Sequence, residues 1–184
     1  MAQILHALGR NEEALPIAQE VARANEGQPS LGSTHPDTLA SRYLLAQILR
    51  SLRRNEDALP IAQEVARANE AQPSLGPTHP DTLTSRALVA QILHLLGRNE
   101  EALPIAQEVA RAGEAHPSLP NTLVTRLLVA QILQSLGLNE EALPIAQEVA
   151  TAQELHPSLG PTHPDTLASR YVVAEILEKL GRSG

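Results

Sequence analysis

Residues 11–24 read NEEALPIAQEVARA, and nearly the same letters return from Asn55, Asn99 and Asn139. The spacings between these asparagines are 44, 44 and 40 (55 − 11, 99 − 55, 139 − 99). A fixed period of this length means an array of supersecondary units rather than one globular core. The four residues missing from the last spacing fall in a connector, where SLGPTHPDTL has become SLPNTL at Ser118 to Leu123, keeping Pro120 and an Asp-like Asn121. Residues 3–46 and 47–90 are identical at 35 of 44 positions. The copies are either recent or deliberately idealised.

The repeated phrase reads as a helix. Ala14, Leu15, Ile17, Ala18, Val21 and Ala22 form a wide apolar face, Glu12 and Glu13 favour the positive end of the dipole, and Asn11 is the expected cap. Pro16 lies about one turn inside, where the N–H it lacks would have met the carbonyl of Glu12. A slight bend is expected there rather than a break. Gln28-Pro29 and its equivalents, down to His156-Pro157, close this helix, because the residue before proline is pushed out of helical geometry.

Between the phrases lies a second kind of helix. In DTLTSRALVAQILHLLG, residues Leu83, Leu88, Val89, Ile92, Leu93 and Leu96 fall at helical spacing. Pro36, Pro80, Pro120 and Pro164 suit its first position, with Asp or Asn next on the dipole. Gly9, Gly97, Gly137 and Gly181 stand where a left-handed C-terminal cap is expected, and Arg53 takes that place in the second unit at a cost of about 1 kcal/mol. A helix pair of this size cannot bury its apolar face alone, so successive pairs must stack. The predicted fold is all-α, an α-solenoid of antiparallel helix hairpins.

Composition narrows the function. The 184 residues carry no Cys, Trp or Phe, so the core is aliphatic and there is no thiolate metal or redox site. No signal-peptide pattern is present at Met1, which places the chain in the cytoplasm, and no apolar run approaches the roughly 20 residues needed to span a bilayer. A formal charge of −7 with interspersed signs argues against nucleic acid as a partner. THPD at residues 34, 78 and 162 suggests metal ligands. One copy lacks the histidine and helix-start chemistry explains Pro-Asp, so neither metal nor any other cofactor is expected. No serine, histidine and carboxylate recur as a unit, and an enzyme is not expected.

The residues together resemble the tetratricopeptide repeat, in the long variant found in kinesin light chains and many bacterial signalling proteins. The carriers are LGPTHPDTLTSR at 75–86, A-x-x-L at Ala90 to Leu93, and GRNEEALPIAQEV at 97–109. The resemblance spans the whole chain. It implies a single solenoid over 1–184, with units near 1–35, 36–79, 80–119 and 120–163 and a terminal helix at 164–181. It further implies a right-handed superhelix whose first-type helices line a concave groove that binds peptides or proteins. Two family features are absent. Asn11, Asn55, Asn99 and Asn139, and Ala18, Ala62, Ala106 and Ala146, replace common aromatics, and no lysine-asparagine carboxylate clamp occupies the groove positions.

Comparing the copies shows what stacking leaves free. The varying positions of the first-type helices, with the glutamines at 47, 91 and 131, fall on one helical stripe. The candidate groove residues on it are Tyr43, Gln47, Arg50, Ala87, Gln91, His94, Leu95, Val124, Leu127, Gln131, Gln134, Tyr171 and Glu175. Several are apolar for a solvated face, which favours a largely neutral or apolar protein or peptide segment as ligand. The invariant Arg42, Arg86, Arg126 and Arg170 are expected to form an ion-pair ladder with Glu20, Glu64, Glu108 and Glu148. The chain begins inside a first-type helix and ends on one, which suggests a fragment or tail of a longer array. Self-association through those open terminal helices is the competing reading, together with an idealised repeat that has no natural ligand.

Overall fold

The computed structural model describes residues 1–28, 31–114 and 122–182, apart from the side chain of residue 182. The described residues hold nine α-helices: α1 (Ala2–Ala7), α2 (Asn11–Gly27), α3 (Pro36–Ser51), α4 (Asn55–Ala71), α5 (Pro80–Leu95), α6 (Asn99–Glu114), α7 (Thr122–Ser135), α8 (Asn139–Leu155) and α9 (Pro164–Arg182). Odd-numbered helices are of the first type and even-numbered helices carry the repeated phrase. The protein is an all-α helical-repeat solenoid. It forms two compact units, Met1–Leu96 and Gly97–Gly184.

In the first unit α1 to α4 each pack on the next helix in the chain, and α3 also touches α5. In the second unit α6 to α8 do the same, and α7 also touches α9. Alanine makes the close approach between helices. Ala14, Ala58, Ala102 and Ala142 of the repeated phrase are fully buried, as are Ala46, Ala90 and Ala130 of the first-type helices. The larger volume comes from Ile48, Ile92, Ile132 and Ile176, none of which has any exposed surface. Truncating one of them to alanine costs about 2–5 kcal/mol.

The prolines behave as the sequence indicates. Pro16, Pro60, Pro104 and Pro144 lie inside continuous helices, and Pro36 and Pro80 start theirs. Pro29, Pro120 and Asn121 lie outside the described residues. Gly9, Gly97 and Gly137 adopt the left-handed conformation at φ 74°, 74° and 79°, and Arg53 adopts it at 58°. The amide three residues beyond the helix then reaches back, Arg10 N to Leu5 O and Arg54 N to Leu49 O at 2.9 Å.

Two local expectations are corrected. Gly181 is not a cap, since α9 runs through it to Arg182; the left-handed residue elsewhere turns the chain into a second-type helix two residues later, and no such turn is described here. Asn11, Asn55 and Asn139 are the first helical residues rather than caps. The cap position belongs to Arg10, Arg54 and Leu138, none of which makes a side-chain cap bond. The histidine of His-Pro-Asp has a role the sequence reading did not assign. His35, His79 and His163 are themselves the helix caps, each imidazole Nδ1 accepting from the backbone N–H of the Asp two residues on at 3.2 Å. The imidazole thus does what an Asn or Ser oxygen does at other helix starts.

A polar latch fixes three of the connectors. Asn69 Nδ2 donates to Ser85 Oγ at 3.2 Å, Asn25 Nδ2 to Ser41 Oγ at 3.3 Å, and Ser169 Oγ to Gln153 Oε1 at 2.5 Å. The same position in α6 is Gly113, against which Thr122 packs across the shortened connector.

The arginine ladder forms in part as expected. Arg42 pairs with Glu64 and Arg126 with Glu148, each on the following second-type helix. Arg42 also reaches back to Glu26 at 3.3 Å, a partner the sequence reading missed. Arg170 pairs backward with Glu154 at 3.6 Å.

Candidate functional site

Packing leaves the variable stripe on the part of α3 and α5 outside the core. Once Ile48, Leu49, Ile92 and Leu93 are committed to the core, residues at spacings of three and four on the remaining face share one surface. On α3 that surface holds Tyr43, Gln47 and Arg50, all half-buried. On α5 it holds Gln91 and His94, half-buried, and Leu95, which is 56% exposed.

These side chains are tied to one another. Gln47 Nε2 donates to Tyr43 Oη at 3.1 Å, and Arg50 Nη1 crosses from α3 to donate to Gln91 Oε1 at 2.7 Å. Two of the glutamines therefore orient neighbours as well as presenting amide groups. Burial raises the pKa of the Tyr43 hydroxyl, with the Arg50 charge opposing.

At the other end of the same face lies a cleft of about 450 Å³. Leu39, Ala40 and Tyr43 of α3 form one wall, Thr84 of α5 stands opposite, Val65 and Asn69 of α4 form the floor, and Leu75 closes it from the connector. Asp37 and Asp81 stand at its rim, and Gln72 holds the connector by donating to Thr34 O at 3.0 Å. Sequence comparison named only Tyr43 among the cleft residues as a site residue. Val65 and Leu75 belong to the constant part of the repeat, so variation could not point to them.

In the second unit the stripe runs along α7 and α9. Val124 and Tyr171 are exposed, at 42% and 65%, and Leu127, Gln131 and Glu175 are half-buried. The Tyr171 hydroxyl has a raised pKa, first because it donates a hydrogen bond to Glu175, then through the charge of that carboxylate, burial and the charge of Glu178. Two predicted groove residues do not present surface. Ala87 is 6% exposed and Gln134 is 9% exposed with its Nε2 lacking a hydrogen-bond partner, so packing covers both.

Among the described residues no group of three or more His, Asp or Glu side chains is placed to hold a metal ion. No described helix is long and apolar enough to cross a membrane.

Comparison with known proteins identifies this architecture. Two models of the tetratricopeptide repeat match, one over residues 1–71 and the other over residues 43–118. The chain is a tetratricopeptide-repeat protein. Crystal structures of a Podosopora anserina chain of nearly identical TPR-like repeats, of the kinesin light chain kind, share the fold. One superposes with a TM-score of 0.78 at 24% identity, covering 98% of this chain and 84% of that one. A point variant of it gives 0.79 at 23% identity with the same coverage. No curated protein sequence matches. Tetratricopeptide repeats generally mediate protein–protein interaction.

Proposed function

We propose that this tetratricopeptide-repeat protein is a non-catalytic, cytoplasmic interaction scaffold that binds a peptide or protein segment along the stripe of its first-type helices. The observation that carries the reading is the cleft between α3 and α5, where Tyr43 and Leu75 offer apolar surface at the end of an oriented polar row, Gln47, Arg50 and Gln91. Pockets that hold ligands combine a mostly apolar lining with a few placed polar groups, and this cleft has that make-up. The bound segment is largely neutral or apolar, seated by a side chain in the cleft and oriented by the amides and the Arg50 guanidinium. Val124, Leu127 and Tyr171 extend the same kind of surface in the second unit.

The test is selection from a random peptide-display library against wild type, followed by capture with Tyr43→Ser, Leu127→Ser and Tyr171→Ser together. Capture lost with circular dichroism unchanged supports the groove. Selected peptides that bind the triple variant as well as wild type contradict it.

A further inference from the structure

The cleft between α3 and α5 has an electrostatic sign as well as a shape. The charged residues that line it are Asp37 and Asp81, each the second residue of its helix, and no Lys or Arg lines it. Their carboxylates are 75% and 72% exposed, and the ion-pair neighbour of each is the histidine of its own helix start, at 3.8 and 3.7 Å. Those histidines accept the Asp backbone N–H through Nδ1, so that nitrogen carries no proton and the ring supplies no charge. The dipoles of α3 and α5 contribute about +0.5 of a charge each at this end, which leaves the rim net negative by about one.

Below the rim the walls are carbon. Tyr43 and Leu75 are half-buried and Ala40 is exposed. In the floor, Asn69 is 8% exposed, and its Nδ2 donates to Ser85 Oγ and to Asp81 O. The carbonyl oxygen of that amide has no partner among the described residues, so what Asn69 has left to offer is an acceptor, held at the Asp81 end of the cleft. Helix-start chemistry accounts for Asp37 and Asp81 one at a time. Their convergence on one apolar cleft, with a spare acceptor in its floor, calls for a cation on a long aliphatic stem.

We propose that the cleft is the seat of a lysine or arginine side chain of the bound segment, its methylenes against Tyr43 and Leu75 and its charged head between Asp37 and Asp81. The proposal rests on the groove reading above and names the side chain that the cleft takes; the remainder of the segment stays neutral or apolar. Tyr43 lies six positions along α3 from Asp37 (43 − 37), about 9 Å of helix, so a side chain that leaves the stripe past the tyrosine ring must be long to reach the rim. Arg50 does not oppose it. That guanidinium is 13 positions from Asp37 (50 − 37), about 20 Å of helix, and charges are largely screened beyond about 10 Å at 0.1 M salt.

The test uses peptides selected from the random display library on wild type, with affinity read by fluorescence anisotropy. Lys or Arg should be enriched at one peptide position over the unselected library. Replacing that Lys by norleucine, or that Arg by citrulline, keeps the stem and removes the charge. Asp37→Asn and Asp81→Asn, both at exposed positions where circular dichroism should not change, should each weaken binding of the charged peptide about two- to fivefold, the scale of one exposed ion pair. In the chain carrying both substitutions, the charged and uncharged peptides should bind alike. Selected peptides that depend on Tyr43 but show no basic preference, or that bind the doubly substituted chain as tightly as wild type, overturn the cation and leave the groove standing. Peptides indifferent to Tyr43→Ser, or a library that yields no binder, overturn both.

Discussion

Thr122 stands directly over Gly113: a Cβ on that glycine would meet Thr122 Oγ1 at 2.8 Å and its Cγ2 at 3.2 Å. The other copies carry Asn25, Asn69 or Gln153 at this position and use the side chain to latch the next helix. Where the connector is four residues shorter, the latch is replaced by direct contact, and Thr122 Oγ1 donates to Gly113 O at 3.4 Å. Gly113→Ala should therefore destabilise the protein by ~1–2 kcal/mol, overpacking outweighing alanine's better helix propensity. Thr122→Ala in the same chain should recover most of that loss. Thermal melts of the two single variants and the double variant check this, and simple additivity would count against it.

Arg53 holds a left-handed backbone that three of its counterparts give to glycine. Arg53→Gly should stabilise the hairpin of α3 and α4 by ~1 kcal/mol, because the Cβ penalty disappears while the Arg54 N to Leu49 O bond stays. Hydrogen exchange at Arg54 should slow.

The histidine caps invite a direct substitution. His79→Ala removes the acceptor for Asp81 N and should cost ~1 kcal/mol at the start of α5, whereas His79→Asn or His79→Ser should retain most of the stability. Faster exchange of the Asp81 amide in the alanine variant alone is the expected readout.

Tyr43 and Tyr171 are the only tyrosines, so their ionisation can be followed by ultraviolet absorbance. In a Tyr43→Phe background, the remaining titration is that of Tyr171, raised chiefly by its hydrogen bond to Glu175. Removing the carboxylate charge with Glu175→Gln takes away what favours the protonated phenol, so the titration should move to lower pH. An upward move would show that Glu175 does not accept from Tyr171.

Much of this architecture was legible in the letters. Apolar periodicity, proline at position one and glycine past the last turn placed α2 to α9, because each is a local backbone effect. The pairing of Arg42 with Glu64 was legible from repetition alone. What was hidden depended on neighbours or on unusual chemistry. Imidazole is a rare cap, so His79 suggested a metal before it suggested a helix start. Gly113 looked like ordinary variation until Thr122 was found against it. Ala87 and Gln134 lay on the right stripe, but how deeply a stripe position is covered depends on the packing around it. The cleft escaped because Val65 and Leu75 are repeat residues, and variation marks only the wall that changes.

The groove is tested most directly by nuclear magnetic resonance titration of labelled protein with a peptide selected on wild type. The account predicts that shifts concentrate at Ala40, Tyr43, Gln47, Thr84 and Gln91, with the Gln47 and Gln91 side-chain amides among the largest. Shifts confined to the repeated-phrase helices, with those five residues unmoved, would contradict it.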